Sequence, residues 1–215
     1  MIPHPKTILT LTKFLMAFII LHFLNACNNN SISEADYADQ INHDRMIKNQ
    51  EITDSTTSRF NEEERKAFSH RGLQYFPPDL TYRVMANFTL DTSNPVFQMP
   101  TTTDRKPNYR IYGYLDFEVK DTACRLVVFQ NYDIRNHPEH GNYVFIPFKD
   151  NTNEFGTYGG GRYIDLEMPR SDKVLLDFNL AYNPYCAYSS RWSCPLVPGV
   201  NTLDVAIFAG EKSYK

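Results

Sequence analysis

The amino-acid sequence predicts an all-β fold: an antiparallel domain preceded by one or two short N-terminal helices. Aromatic residues make up 14% of the chain, and such residues favour β-strands. From residue 80 onward, apolar and polar residues alternate in short runs, which is typical of strands with one buried face. Short turns join these runs, without the helical crossovers that parallel strands need. About eight strands of this length form either a β sandwich or a flattened β barrel, and the sequence favours neither.

The strands are predicted from this alternation, most clearly over 108–120. There, every second residue from Ile111 to Val119 is expected on one buried face. A tight turn at 121–122 then leads into a hairpin partner. The predicted strands are 82–90, 97–103, 108–120, 124–132, 143–149, 162–168, 173–178 and 202–209.

Two helices are predicted ahead of the strands. Apolar residues recur at helical spacing over 37–52, but their stripe is narrow, so this helix must dock on other residues to persist. Asn61 and Glu64 have the spacing of a capping box, which predicts a second helix that ends before Gly72.

The first 26 residues resemble a bacterial lipoprotein signal peptide. Lys6 and Lys13 accompany an apolar run, residues 14–24, that is too short for a comfortable membrane span. The run ends in the sequence LNAC, which resembles a lipobox and makes Cys27 the predicted lipidation site. An ordinary signal peptide with an unmodified Cys27 is the alternative. We therefore expect a lipid-anchored protein of the bacterial cell envelope, on the periplasmic face or the cell surface.

After the signal peptide, the chain divides into a polar tether with a short helix, 27–58, and the antiparallel β domain, 59–215. The net charge of −3 and the lack of a clustered basic face exclude a nucleic-acid partner. Six histidines and no CxxC motif predict no metal site, and no cofactor is expected. The expected partners are the membrane, through Cys27, and a small molecule or an envelope protein.

A glycine-rich segment, 157–163 with the sequence TYGGGRY, is the first of two unusual stretches. Its three glycines permit close backbone approach, and its N–H groups with Arg162 would suit an anion. The favoured interpretation is a bend between strands, with Arg162 paired to a buried carboxylate. Asp150, Asp165 and Asp177 lie near strand ends, where an acid pair would be catalytic but caps and salt bridges are commoner.

The second stretch is 177–198, which contains Cys186 and Cys194. A disulfide or a pair of buried thiols is the first interpretation, since an exported protein meets an oxidising environment. A reactive Cys186 thiol with His137 or His140 as its partner is the second, and a metal site is the last.

Hydrogen-bonding groups on flat aromatic rings are concentrated in 177–198, and such sets line pockets for sugars or other small polar ligands. The same groups would also serve to close one end of a β domain. The candidate ligand-binding residues are Asp150, Tyr158, Gly160, Arg162, Asp177, Asn179, Asn183, Cys186, Tyr188, Glu211 and Lys212.

Three segments carry a resemblance to a known family. They are GLQYFPPDLTYRVMANF at 72–88, IPFKDNTNEFGTYGGGRYIDL at 146–166, and 176–212 with AYNPYCAY and AGEK. The chain resembles the family called domain of unknown function 1684 (DUF1684) from about Phe60 to Lys212. The resemblance implies no activity. Asn153 stands where the family pattern implies a glycine.

Three hypotheses about function follow from these observations. The first is a lipid-anchored envelope protein that binds a small polar ligand or an envelope partner in a pocket near the glycine loop. The second is an envelope hydrolase that uses Asp150, Asp165 or Cys186 together with Arg162. The third is a purely structural envelope protein.

Overall fold

The computed structural model describes residues 32–93 and 95–214. The predicted signal peptide, Cys27 and the first residues of the tether lie outside the described residues. All the helices and strands given below belong to one compact unit, residues 34–215. None of the described helices combines the length and the apolar character that crossing a membrane requires.

Two helices precede the strands in the chain, α1 (Glu34–Thr53) and α2 (Glu62–Arg71). The predicted capping box at the start of α2 is present. The Asn61 side chain accepts a hydrogen bond from the Glu64 N–H at 2.9 Å, and the Glu64 carboxylate accepts one from the Asn61 N–H at 2.9 Å. The helix ends at Gly72, whose φ of 63° is a conformation that glycine adopts without strain.

The described strands form one curled antiparallel sheet that resembles half a barrel. Each pair of adjacent strands is antiparallel, which confirms the predicted strand direction. The spatial order is β6-β5-β4-β3-β1-β7, with β2 added to β3. The strands are β1 (Arg83–Leu90), β2 (Val96–Gln98), β3 (Asn108–Val119), β4 (Thr122–Asn131), β5 (Tyr143–Phe148), β6 (Arg162–Glu167) and β7 (Lys173–Asp177).

A β-bulge in β3 changes which face of the sheet its residues occupy. The register with β4 shifts just after Ile111, and one extra residue moves the following side chains to the opposite face. Leu115, Phe117 and Val119 therefore lie in the main core, whereas Ile111 packs in a second cluster that includes Phe129. The predicted common face was wrong for Ile111, because strict alternation does not anticipate a bulge.

The turn between β3 and β4 lies one residue earlier than predicted. Val119 pairs with Thr122, so Lys120 and Asp121 form a two-residue loop. Both have positive φ values, 49° and 58°, as a turn that matches the twist of a hairpin requires.

The last predicted strand, 202–209, is not a strand in the structure. Its alternating residues Leu203, Ile207 and Ala209 are buried in the core, as the pattern predicted. However, the carbonyl groups of Ile207 and Ala209 accept hydrogen bonds from the Arg162 side chain. The alternating pattern therefore predicted correctly which residues are buried. It failed to predict the secondary structure, because the Arg162 side chain bonds to carbonyl groups that a neighbouring strand would otherwise use.

Candidate functional site

Arg162 and Asp150 form an ion pair that is closed to solvent. The Arg162 Nη2 atom lies 2.7 Å from the Asp150 Oδ2 atom, and both side chains are 0% exposed. Arg162 also donates to the carbonyl groups of Ile207, at 2.9 Å, and Ala209. Asp150 accepts from the backbone N–H groups of Thr152, at 2.8 Å, and Ile207, at 3.2 Å. This is the predicted pairing of Arg162 with a buried carboxylate, and it ties the chain end to β6.

The glycine loop is a tightly packed turn beside this ion pair. Gly161 has a φ of 92°, and a Cβ atom there would lie 2.6 Å from the Phe148 carbonyl oxygen. A Cβ at Gly160 would lie 2.3 Å from the ring of Tyr158. The Asn153 side chain donates to the Tyr158 carbonyl at 2.8 Å. The residue that departs from the family pattern thus helps to hold this loop.

Asp177 and Asn179 anchor the start of α1 and the start of β1. Asp177 accepts a hydrogen bond from the Tyr37 hydroxyl at 2.8 Å, and its Oδ2 atom lies 3.6 Å from the Arg83 guanidinium. Desolvation and this carboxylate raise the pKa of Tyr37. The Asn179 amide pairs with the backbone N–H and carbonyl groups of Asp79, both at 2.9 Å. These contacts hold elements of the fold together.

Glu211 is the centre of a polar group that reaches from the core to the surface. Its side chain is 1% exposed, and it accepts hydrogen bonds from Asn183 Nδ2 at 2.9 Å and from the Tyr188 hydroxyl. The ammonium group of Lys48, on α1, lies 3.2 Å from Glu211 Oε2. The same ammonium group lies 4.7 Å from the centre of the Tyr182 ring.

Asn183 has one buried polar atom without a partner among the described residues. Its Nδ2 group donates to Glu211 and, at 2.8 Å, to the Lys212 carbonyl. Both of these partners are acceptors, which fixes the orientation of the amide. The Oδ1 atom therefore points elsewhere and accepts no hydrogen bond from the described residues.

A pocket of about 840 Å³ lies between α1 and the segment 178–188. The Tyr182 hydroxyl donates to Asp165 at 2.7 Å within it. Asp165 keeps contact with solvent, but the protein around its carboxyl removes enough water to raise its pKa. The polar and aromatic lining residues are Asp44, Lys48, Glu51, Arg59, Phe60, Asp165, Tyr182, Asn183, Tyr185 and Tyr188.

Cys186 and Cys194 lie together as free thiols. The Cys186 N–H donates to the Cys194 sulfur at 3.2 Å, and the Tyr158 hydroxyl lies 4.0 Å from the Cys186 sulfur. The hydrogen bond with Cys194, with a smaller contribution from Tyr158, lowers the pKa of Cys186 to about 7 against the opposing effect of burial. The same interaction and burial raise the pKa of Cys194.

The two histidines considered as partners of Cys186 lie together in the loop before β5. Their rings stack with centres 4.7 Å apart, and no described contact joins either His137 or His140 to Cys186. With Glu139 they form an exposed group whose ligand atoms lie within 4.8 Å of one another. It is the one such grouping among the described residues, and the sequence analysis had predicted no metal site.

The candidate residues thus fall into four groups instead of one cavity: Asp150 with Arg162, Asp177 with Asn179, Tyr158 with Gly160 and the cysteines, and Glu211 with Asn183, Tyr188 and the backbone of Lys212. Only the last group borders the pocket, and the glycine loop does not. The sequence analysis missed Lys48 and Tyr182 as a pair. One feature of the sequence could have pointed to Lys48: the predicted helix over 37–52 has to dock on other residues. Helical spacing, however, did not show which polar residue of that helix faces inward.

The fold and the pocket together define a small, mostly β protein whose N-terminal helix covers a polar-aromatic cavity. A family described as "Protein of unknown function (DUF1684)" matches residues 68–212, and the chain belongs to this family. A solution NMR structure of an uncharacterized protein from Haloarcula marismortui is similar, with 36% sequence identity and a TM-score of 0.62. That similarity covers 83% of this chain and 95% of the chain from Haloarcula marismortui. No curated protein matches the sequence.

Proposed function

We propose that this protein is anchored in the bacterial cell envelope through a lipid on Cys27 and binds a small polyhydroxylated ligand, such as a sugar. The ligand occupies the pocket between α1 and 178–188. The signal-peptide pattern and the LNAC sequence support the anchoring. The polar and aromatic lining of the pocket supports the binding.

The observation that carries the proposal is the unpaired Oδ1 atom of Asn183. Asn183 is 2% exposed and lines the pocket. A buried acceptor without a donor costs about 1–3 kcal/mol, so such atoms are rare unless something else supplies the donor. A hydroxyl group of a bound ligand is a donor of the right kind.

The rest of the pocket suits the same chemistry. Tyr182 and Tyr185 present flat rings, against which the apolar face of a sugar ring packs, and the buried ring of Phe60 supports Tyr185 from behind. The carboxylates of Asp44 and Asp165 accept hydrogen bonds from hydroxyl groups. A small-molecule site usually consists of aromatic and apolar side chains with a small number of polar groups among them.

The hydrolase hypothesis draws less support from the contacts. Asp150 and Arg162, two of its proposed residues, are 0% exposed and bonded to each other and to backbone groups. Only the Nε atom of Arg162 lacks a partner among the described residues, and it is closed to solvent. A carboxylate that acts on a substrate must reach it directly or through one water molecule. Asp165 lies in the pocket, but no described contact joins it to Arg162, which is bonded to Asp150 and to backbone carbonyl groups. The cysteine version has Cys186 without a described contact to His137, His140 or Arg162.

The test is the binding of neutral sugars to the isotope-labelled 215-residue chain, kept in detergent, by NMR. We expect the side-chain amide of Asn183 and the backbone amides of 182–188 to shift on titration with N-acetylglucosamine, glucose or mannose. Tyr185→Ala should weaken binding about tenfold, because one ring wall is lost. Tyr143→Ala, an exposed tyrosine outside this pocket, is the matched control. Absence of any shift with a folded protein would overturn the proposal.

A further inference from the structure

We infer that the pocket recognises a ligand with a primary ammonium group, and that Lys48 of α1 fills the ammonium position when the ligand is absent. The inference rests on the proposed ligand-binding function and adds the charge of the ligand. Under this inference, α1 covers the pocket and also supplies an ammonium group that competes with the ligand for one subsite.

The contacts of Lys48 describe an ammonium subsite. Its Nζ atom lies 3.2 Å from the Glu211 carboxylate and 4.7 Å from the centre of the Tyr182 ring. A carboxylate combined with an aromatic face attracts any compact cation, because the negative charge and the ring quadrupole act on the same group. The ammonium group of a bound ligand could make the same two contacts as the ammonium group of Lys48.

The two sides of the ion pair differ in how firmly they are held. Glu211 is 1% exposed and fixed by Asn183 and Tyr188, whereas the Lys48 side chain is 33% exposed. A buried carboxylate needs a cation nearby, because leaving the charge unpaired is costly. The lysine stem is flexible and reaches water, so its ammonium group can withdraw when another one takes its place.

The surroundings favour a cation that also carries hydroxyl groups. Three carboxylates, Asp44, Glu51 and Asp165, line the pocket together with the cations Lys48 and Arg59. With Glu211, which Lys48 contacts, the negative groups outnumber the positive ones by four to two, and this balance attracts a positively charged ligand. The unpaired Oδ1 of Asn183 accepts a hydrogen bond from either an ammonium or a hydroxyl group. An amino sugar combines both features.

Competition from Lys48 predicts a measurable gain when its charge is removed. A ligand that must displace a group already in the site binds with its intrinsic affinity multiplied by the fraction of time that the site is empty, so a tenfold loss corresponds to a site that is empty about a tenth of the time. Lys48→Met keeps most of the apolar stem over Tyr182 and removes the ammonium group. The variant should therefore bind an amine more tightly without a change in the rest of the pocket.

The experiment is calorimetric titration of the 215-residue chain in detergent with glucosamine and N-acetylglucosamine, at about pH 6 so that the amine is protonated. These probes share a ring and differ in the charge on nitrogen. We expect Lys48→Met to bind glucosamine about tenfold more tightly than the unaltered protein, with unchanged affinity for N-acetylglucosamine. Adding Glu211→Gln should remove the gain. Lys66→Met, which removes an exposed lysine of α2, is the control and should show no gain.

The outcomes separate this inference from the proposed function. If Lys48→Met gains nothing for glucosamine, or gains equally for both probes, the ammonium subsite is refuted, and neutral sugar binding still decides the proposed function. If glucosamine binds Lys48→Met tightly but no neutral sugar binds, the subsite stands and the proposed binding of neutral sugars is wrong. If neither probe binds any folded variant, both proposals fall. Circular dichroism verifies folding, and the contrast between the two probes holds even if Glu211→Gln fails to fold.

Discussion

Two ion pairs of the same chemical type serve different purposes in this protein. Arg162 and Asp150 are both 0% exposed and bonded to surrounding backbone, whereas Lys48 and Glu211 combine a 33% exposed cation with a 1% exposed carboxylate. The first pair is closed, because its side chains bond to each other and to backbone groups of other parts of the fold, and its one unpaired atom, Arg162 Nε, is out of reach of solvent. The second has one side that solvent reaches and a neighbour, Asn183, with an unused acceptor. Access to solvent, more than residue type, therefore separates a structural pair from a candidate site.

The largest expected effect is on the closed pair. Arg162→Ala should lower the free energy of unfolding by about 3–5 kcal/mol, because it leaves Asp150 buried without a counter-charge. Urea denaturation followed by circular dichroism measures this loss. The control is Arg125→Ala, which breaks the exposed pair with Asp116, 2.6 Å apart, and should cost about 1 kcal/mol or less. Equal losses in the two variants would mean that burial does not distinguish these pairs.

Tyr188→Phe sharpens the comparison within the open group. The substitution removes the hydroxyl that donates to Glu211 and should cost about 2 kcal/mol, as expected for a hydrogen bond to a charged acceptor. Urea midpoints of this variant and of Tyr143→Phe, on an exposed side chain, give the difference. A Tyr188→Phe variant as stable as the unaltered protein would show that Glu211 does not depend on this donor.

The cysteine pair extends the comparison to two thiols of different burial, since Cys186 is half-buried and Cys194 is buried. The pKa of Cys186 is lowered to about 7 by its hydrogen bond with Cys194, so its thiolate should form above pH 7 and disappear below it. Alkylation by iodoacetamide, followed by mass spectrometry, should have its half-maximal rate near pH 7 at Cys186. Cys194, whose pKa is raised, should react far more slowly. Equal rates at the two cysteines would contradict the assignment.

A disulfide between these residues stays a prediction. Exchange with oxidised glutathione would join the two sulfurs and reduce glutathione disulfide to two thiols, which take up the two hydrogens that the protein thiols lose. The protein mass would fall by two hydrogens, and Cys186→Ser would abolish the change. Persistence of both free thiols after prolonged exposure would count against the disulfide.

The smallest expected effect concerns the pair between α2 and segment 177–198. Desolvation opposes ionisation of Glu64, but hydrogen bonds from Arg191, Ser189 and the Asn61 N–H outweigh it and lower its pKa to about 2. A lowered carboxyl pKa contributes stability above the unfolded-state value of about 4.3, and this contribution is lost as pH falls towards 2. Glu64→Gln should cost about 1 kcal/mol or less at pH 6 and almost nothing at pH 2. An unchanged difference between the two pH values would refute the lowered pKa.

The sequence was sufficient for features that depend on neighbours along the chain. Alternation predicted the antiparallel strands, and the Asn61 and Glu64 pair predicted a capping box that is present. The interpretation of Arg162 as the partner of a buried carboxylate is likewise confirmed. Each of these predictions depends on spacing, on turn chemistry or on the cost of burying a charge, and all three are local or general rules.

Features that depend on distant parts of the chain could not be predicted in the same way. The sequence 202–209 alternates as a strand does, yet its carbonyl groups bond to Arg162 instead of a neighbouring strand. The bulge after Ile111 reverses the face of one residue in an otherwise regular pattern. Lys48 meets Glu211 across 163 positions of the sequence, and helical spacing alone does not select it.

Residue chemistry and periodicity along the chain therefore determined the strand type, the helix cap and the set of residues worth examining. The tertiary structure alone decided that these residues form four groups and that one group borders a pocket. The physical reason is that solvent access and hydrogen-bond pairing are properties of packed elements. Arg162 and Lys48 are both cations beside a carboxylate, and only the packing of α1 and β6 around them closes one pair and leaves the other open.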